Sequence, residues 1–134
     1  MQVSYEELEL LMSYEAAQAT RYRRYASVAV YRTNGPAPDD RIWEAVGRGS
    51  DHWARLGEDG CVVLMVEAPP NRARQAVMRF QDFYRSHTDG QGDVNVAVAS
   101  YPLDKIDEKG FALHLYDQLK DKPRVKRALS GSVA

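Results

Sequence analysis

Apolar and polar residues alternate along this chain with two different periods, and the breaks between them divide it into eight elements. From Tyr5 to Tyr25 there is no proline or glycine. Leu8, Leu11, Met12 and Ala16, with Glu15 in the same stripe, recur at helical spacing. Ser4 and Glu7 form a capping box ahead of them, and Arg21, Arg23 and Arg24 fall where they complement the helix dipole. Val28 to Thr33 is β-branched and predicts a strand, broken by Asn34-Gly35-Pro36-Ala37-Pro38. Asp39 or Asp40 then caps a short helix through about Val46, ended by Gly47 and Gly49. Asp51 to Leu56 and Cys61 to Glu67 flank the tight turn Gly57-Glu58-Asp59-Gly60 and predict a β-hairpin. After Pro69-Pro70, a helix from Asn71 to about His87 repeats Ala73, Ala76, Val77, Phe80 and Tyr84 every three to four residues. The Thr88–Gly92 loop leads to an alternating strand, Val94 to Ala99, closed by Pro102, and a last helix runs from Asp107 to about Lys120. The expectation is one domain over residues 1–129, with a disordered tail over 130–134.

After the first helix, this order is βαββαβ, an α+β ferredoxin-like arrangement. The length, 134 residues, suits one domain with two packed layers. A net charge of −1 gives no reason to expect a nucleic-acid partner. The single cysteine, Cys61, rules out a disulfide framework within one chain and fits a reducing cytoplasm. The start of the chain carries Glu6, Glu7 and Glu9 rather than a basic, then apolar, leader, and the longest apolar run, Cys61 to Val66, is too short to span a bilayer. A cytoplasmic protein with no membrane partner is expected.

The hairpin carries a resemblance to a known family. Arg55-Leu56-Gly57-Glu58-Asp59-Gly60-Cys61-Val62-Val63-Leu64 resembles the R-Y/L-G-G-D/E-E-F-x-x-L signature of diguanylate cyclases, the GGDEF family. Glu15 through Tyr25, followed by Ser27-Val28-Ala29-Val30, is similar to the family's opening helix and first strand. Val94 through Pro102 is similar to its v-t-v-S-i-G-v-a strand, and Leu115-Tyr116, with Lys120 and Arg124-Val125, to its closing stretch. Together these pieces span about Tyr14 to Lys126 in the family's order.

The resemblance implies a GGDEF or palm-type domain that has lost its catalytic parts. The family's metal-binding carboxylate at the end of the first strand aligns with Arg32 and Asn34, and a cation there repels a metal. In the degenerate signature Gly57, Glu58, Asp59, Gly60 and Cys61, the aspartate survives as Asp59. Glu58 replaces the second glycine, and Gly60 replaces the glutamate. The interval from Tyr31 to Arg55 is too short for the family's substrate-gripping helix. No catalytic residue, metal or cofactor is therefore expected.

The family's product-inhibition site, by contrast, has its counterpart. Arg48-Gly49-Ser50-Asp51 supplies the R-x-x-D pattern, with Asp51 six positions before Gly57 as in the family, and an ungapped alignment puts Arg79 on the site's further arginine. The chemistry suits cyclic di-GMP. A guanidinium is a planar fork that pairs two-pronged with guanine O6 and N7 or clamps phosphate oxygens. The Asp51 carboxylate accepts from the guanine N1–H and N2–H edge. The implied function is a non-catalytic cyclic di-GMP receptor using Arg48, Asp51 and Arg79 and acting on a protein partner or a second copy. The alternative is a nucleotide-independent interaction module.

Other constellations are plainer. Arg21-Tyr22-Arg23-Arg24-Tyr25 suits RNA or a nucleotide but reads first as a helix end. His52, His87 and His114 lack metal-ligand spacing. Trp53 reads as core, with purine stacking as the alternative. The apolar stripe of the first helix, including Tyr5, Leu8, Leu11 and Met12, packs on its own domain or docks with a second chain.

Overall fold

The computed structural model describes residues 1–36, 38–47 and 51–120. Strand β1 (Ala26–Thr33) is buried at every position except Arg32. A strand without a polar face must lie inside a sheet that is covered on both sides. Accordingly, β1 pairs antiparallel with β3 (Gly60–Val66) on one side and β4 (Val94–Tyr101) on the other, with Val30 opposite Val62 and Ala97. β2 (His52–Leu56) pairs with the outer side of β3, giving the order β2-β3-β1-β4. The α+β expectation holds: this is the antiparallel βαββαβ sheet.

Side-chain alternation sorts the two cores. Val28, Val30, Leu56, Val62 and Leu64 pack with α1 (Tyr5–Tyr22) and α4 (Phe111–Lys120). Ala29, Tyr31, Trp53, Cys61 and Val63 pack with α2 (Asp40–Glu44) and α3 (Pro70–His87). The buried hydroxyls between β1 and β4 are satisfied, since Ser27 donates to the Ala68 carbonyl at 2.6 Å and lies 2.7 Å from the Ser100 hydroxyl. Trp43 of α2 is fully buried and stacked on Phe80 of α3, with ring centroids 5.9 Å apart. Trp53 is core as well, at 6% exposure, which removes the purine-stacking alternative.

Several boundaries differ from the sequence reading. α1 ends at Tyr22 rather than Tyr25, because Arg23 takes the left-handed conformation and Arg24 N–H closes on the Ala19 carbonyl. Only Arg21 therefore lies in the last turn, and Arg24 instead pairs with Glu67 at 2.5 Å. β1 starts earlier, at Ala26, and β4 runs on to Tyr101. α4 starts at Phe111 rather than Asp107, the intervening residues forming turns that end at Gly110 with φ +79°. Ser4 and Asp39 cap α1 and α2 as expected, accepting from Glu7 N–H and Ile42 N–H. Gly49 and the 130–134 tail lie outside the described residues. No described helix is long and apolar enough to cross a membrane.

The stripe of α1 is spent on its own domain: Leu8, Met12, Ala16 and Ala19 are buried against the sheet. Leu8 is fully enclosed, so Leu8→Ala should lower unfolding free energy by about 2–5 kcal/mol, read from urea denaturation. A change within about 0.5 kcal/mol, the size of an ordinary surface substitution, would mean that α1 is not part of the domain core.

Candidate functional site

The first cluster lies where β1 ends against the β2–β3 turn. The register sets Arg32 opposite Gly60, which brings its side chain to the turn carboxylate. Arg32 Nε donates to Asp59 Oδ2 at 2.9 Å, and Arg32 Nη1 donates to the Tyr116 carbonyl at 3.2 Å. The guanidinium also lies 4.0 Å from the centroid of the Tyr116 ring, a cation–π contact. The Tyr116 hydroxyl donates to the other carboxylate oxygen, Asp59 Oδ1.

The turn is shaped to receive that ring. Gly57 has φ +60°, a conformation that favours glycine. A Cβ on Gly60 would sit 2.2 Å from Tyr116 Cε1, so only glycine fits under the ring. Thr33 N–H donates to the Asp59 carbonyl at 2.8 Å and fastens the turn to the end of β1.

This arrangement does not fit a divalent cation. Both Asp59 oxygens already accept from donors, and one of those donors is a positive guanidinium. Among the described residues, no group of three or more His, Cys, Asp or Glu side chains is placed to hold a metal. Asn34, the second position aligned with the family's carboxylate pattern, accepts from Asp93 N–H at 2.9 Å and pins β1 to the start of β4. Between β1 and β2, the described residues hold one short helix, α2, strapped to the hairpin by Arg55, which donates to Asp40 at 3.0 Å and to the Glu58 carbonyl at 3.3 Å. Cys61 is fully buried, and burial pushes its thiol well up, so it is inert core.

The second cluster lies at the opposite end of β2. Asp51 stands just before the strand and is buried at 7% exposure, while Arg79 is exposed on α3. Both line two adjoining depressions of about 200 and 230 Å³. Arg72 and Glu67 add one charge of each sign to the first; Gly47 and Phe83 border the second. Gly47 leaves room for Asp51, whose Cβ lies 3.2 Å from where a glycine substituent would stand. Beneath them, burial pushes the Tyr31 phenol up, with the Arg79 charge opposing and the Asp51 charge reinforcing that shift. Arg48, the first residue of the R-x-x-D pattern, lies outside the described residues. The fold thus brings two of the three expected ligand residues to one cleft.

Tyr116 is the residue of the first cluster that sequence reasoning missed. It figured only in a family-like Leu-Tyr pair, and its contact with the distant hairpin follows from packing. The two turn glycines, Gly57 and Gly60, were the available signal that something large approaches the turn.

No family model matches the sequence, and no curated protein matches it. Solved structures do match the fold. A DGC protein from Thermotoga maritima superposes with a TM-score of 0.67 at 16% identity, covering 87% of this chain and 95% of the other. The FimX GGDEF domain from Pseudomonas aeruginosa gives a TM-score of 0.67 at 18% identity, covering 84% and 85%. A microbial GGDEF domain described for its interaction with bis-(3,5)-cyclic di-GMP gives 0.63 at 14% identity, covering 88% and 85%. The chain therefore has the fold of a GGDEF domain.

Burial, followed by the hydrogen bond to Asp59, pushes the Tyr116 phenol up to about 12. The hydroxyl's contribution to stability is fully present below about pH 10, its ordinary value, and is lost as pH rises through about 12. In a spectrophotometric base titration, Tyr116→Phe should remove one tyrosinate that forms near pH 12, and the variant's stability should fall less across that interval. A missing tyrosinate that forms near pH 10 would contradict the contact.

Proposed function

We propose that this domain is a catalytically inactive GGDEF-like receptor that binds cyclic di-GMP through Arg48, Asp51 and Arg79 and passes that state to a protein partner or a second copy. The observation that carries the reading is the shared cleft of Asp51 and Arg79, which are contributed by β2's entry and by α3. A carboxylate beside an exposed guanidinium offers the two recognition edges that a guanine needs. The second depression and Arg72 offer space and charge for the phosphates. A microbial GGDEF domain of similar fold interacts with cyclic di-GMP, which supports the same ligand here.

The other end of β2 supports the loss of catalysis in this reading. Two-metal phosphoryl chemistry needs carboxylates open to cations, whereas Asp59 is held by Arg32 and Tyr116. Among the described residues between β1 and β2, the five-residue α2 is the one helix, which supports the lack of a grip on a substrate base.

Calorimetric titration with cyclic di-GMP tests the receptor. The expected affinity is micromolar or tighter, about 8 kcal/mol or more. Arg79→Ala and Arg48→Ala should each weaken it by about tenfold or more, the scale of a lost bidentate guanidinium contact. Arg79 is exposed, so its variant should keep the parent's melting temperature. The absence of both heat and thermal stabilisation at high ligand concentration would sink the reading.

A further inference from the structure

A third depression belongs to neither cluster. It is a groove of about 390 Å³ between α1 and the turn that precedes α4. Its floor is made by Met12 and Ile106, both buried, and its exposed lining is mostly apolar. Leu10 stands at its lip, 73% exposed, an aliphatic side chain on a long helix that the domain leaves uncovered. The groove is held in shape from within. Glu9 Oε2 accepts from Gly110 N–H at 2.8 Å and from the Tyr5 hydroxyl at 3.3 Å, so the two walls are tied together.

Charge around the groove is one-sided. Glu6 and Glu9 on α1 face Asp107 and Glu108 on the turn, with Lys109 the one cation among the lining residues. An acidic rim repels nucleic acid and anionic lipid surfaces. A symmetric dimer through this face would set two acidic rims against each other. What the surface complements is a protein segment with apolar anchors and basic flanks.

We propose that the groove between α1 and the turn before α4 is a docking site for a basic amphipathic helix of a partner protein, independent of the Asp51–Arg79 cleft. Leu10, beside the floor formed over Met12 and Ile106, would meet its apolar anchors, and Glu6, Asp107 and Glu108 would face its lysines or arginines.

The test is fluorescence anisotropy with a labelled synthetic helix carrying leucines at i, i+3, i+4 and i+7 and lysines elsewhere, together with a version carrying glutamates in place of the lysines. The lysine helix should bind the parent protein in the micromolar range, and the glutamate helix should bind about tenfold more weakly or worse. Leu10→Asp, and separately Glu6→Lys with Asp107→Lys, should each weaken the lysine helix by a similar factor. All three positions are exposed, so unchanged melting temperatures would show the variants to be folded. Added salt should weaken binding further. No binding of the lysine helix, or binding indifferent to both variants, would overturn the proposal. So would a dimer of the parent in sedimentation that Leu10→Asp dissolves, since the groove would then belong to a second copy.

Discussion

One guanidinium organises the end of this fold. Arg32 leaves the end of an otherwise buried strand and joins three elements at once: β1 that carries it, the hairpin turn through Asp59, and α4 through the carbonyl and ring of Tyr116. The ion pair is partly exposed, with side-chain exposures of 19% and 36%, so solvent screens much of its attraction. Its structural effect comes from geometry. The fork reaches a carboxylate and a carbonyl at once while its charge lies over a ring, which a lysine at this position would not reproduce. Gly60 and Gly57 then follow as requirements, because the ring occupies the space that side chains would fill.

That closure separates the two ends of β2. At one end the turn carboxylate is held by Arg32 and Tyr116; at the other, about 17 Å away along five residues of strand, Asp51 and Arg79 line an open cleft. The strand between them is an edge, but its rim is occupied. Val3 N–H donates to the Trp53 carbonyl and Trp53 N–H to the Met1 carbonyl, so the first residues form a parallel bridge beside the cleft. The Met1 ammonium also donates to the Asp51 carbonyl at 2.5 Å. The residues leading into α1 are thus in direct contact with the backbone of Asp51.

Much of the architecture was legible in the sequence because its signals are local. Turn residues and the change between two periods gave the element order. Capping by Ser4 and Asp39 followed from short-range chemistry. The reading of Arg32 as a cation where a metal ligand would stand needed only alignment. What was not legible depends on contacts distant in the chain. The register that sets Arg32 against Gly60, and the packing of Tyr116 over the turn, are products of the assembled sheet. The end of α1 was misplaced because the reversal uses Arg23, a non-glycine, in the left-handed conformation, a choice that helix-forming composition does not announce. The apolar stripe of α1 was visible, but its cover was not. The sheet takes Leu8 and Met12, and the uncovered residue is Leu10, on the helix flank.

The account turns on Asp59 being held by protein donors instead of metal, and the most direct measurement is turnover itself. Purified protein incubated with GTP and either Mg²⁺ or Mn²⁺, with products separated by chromatography, should yield no cyclic di-GMP over the background without protein. Product that accumulates with time and disappears in Asp59→Asn would contradict the account, because it would mean that the carboxylate releases Arg32 and Tyr116 to take a cation.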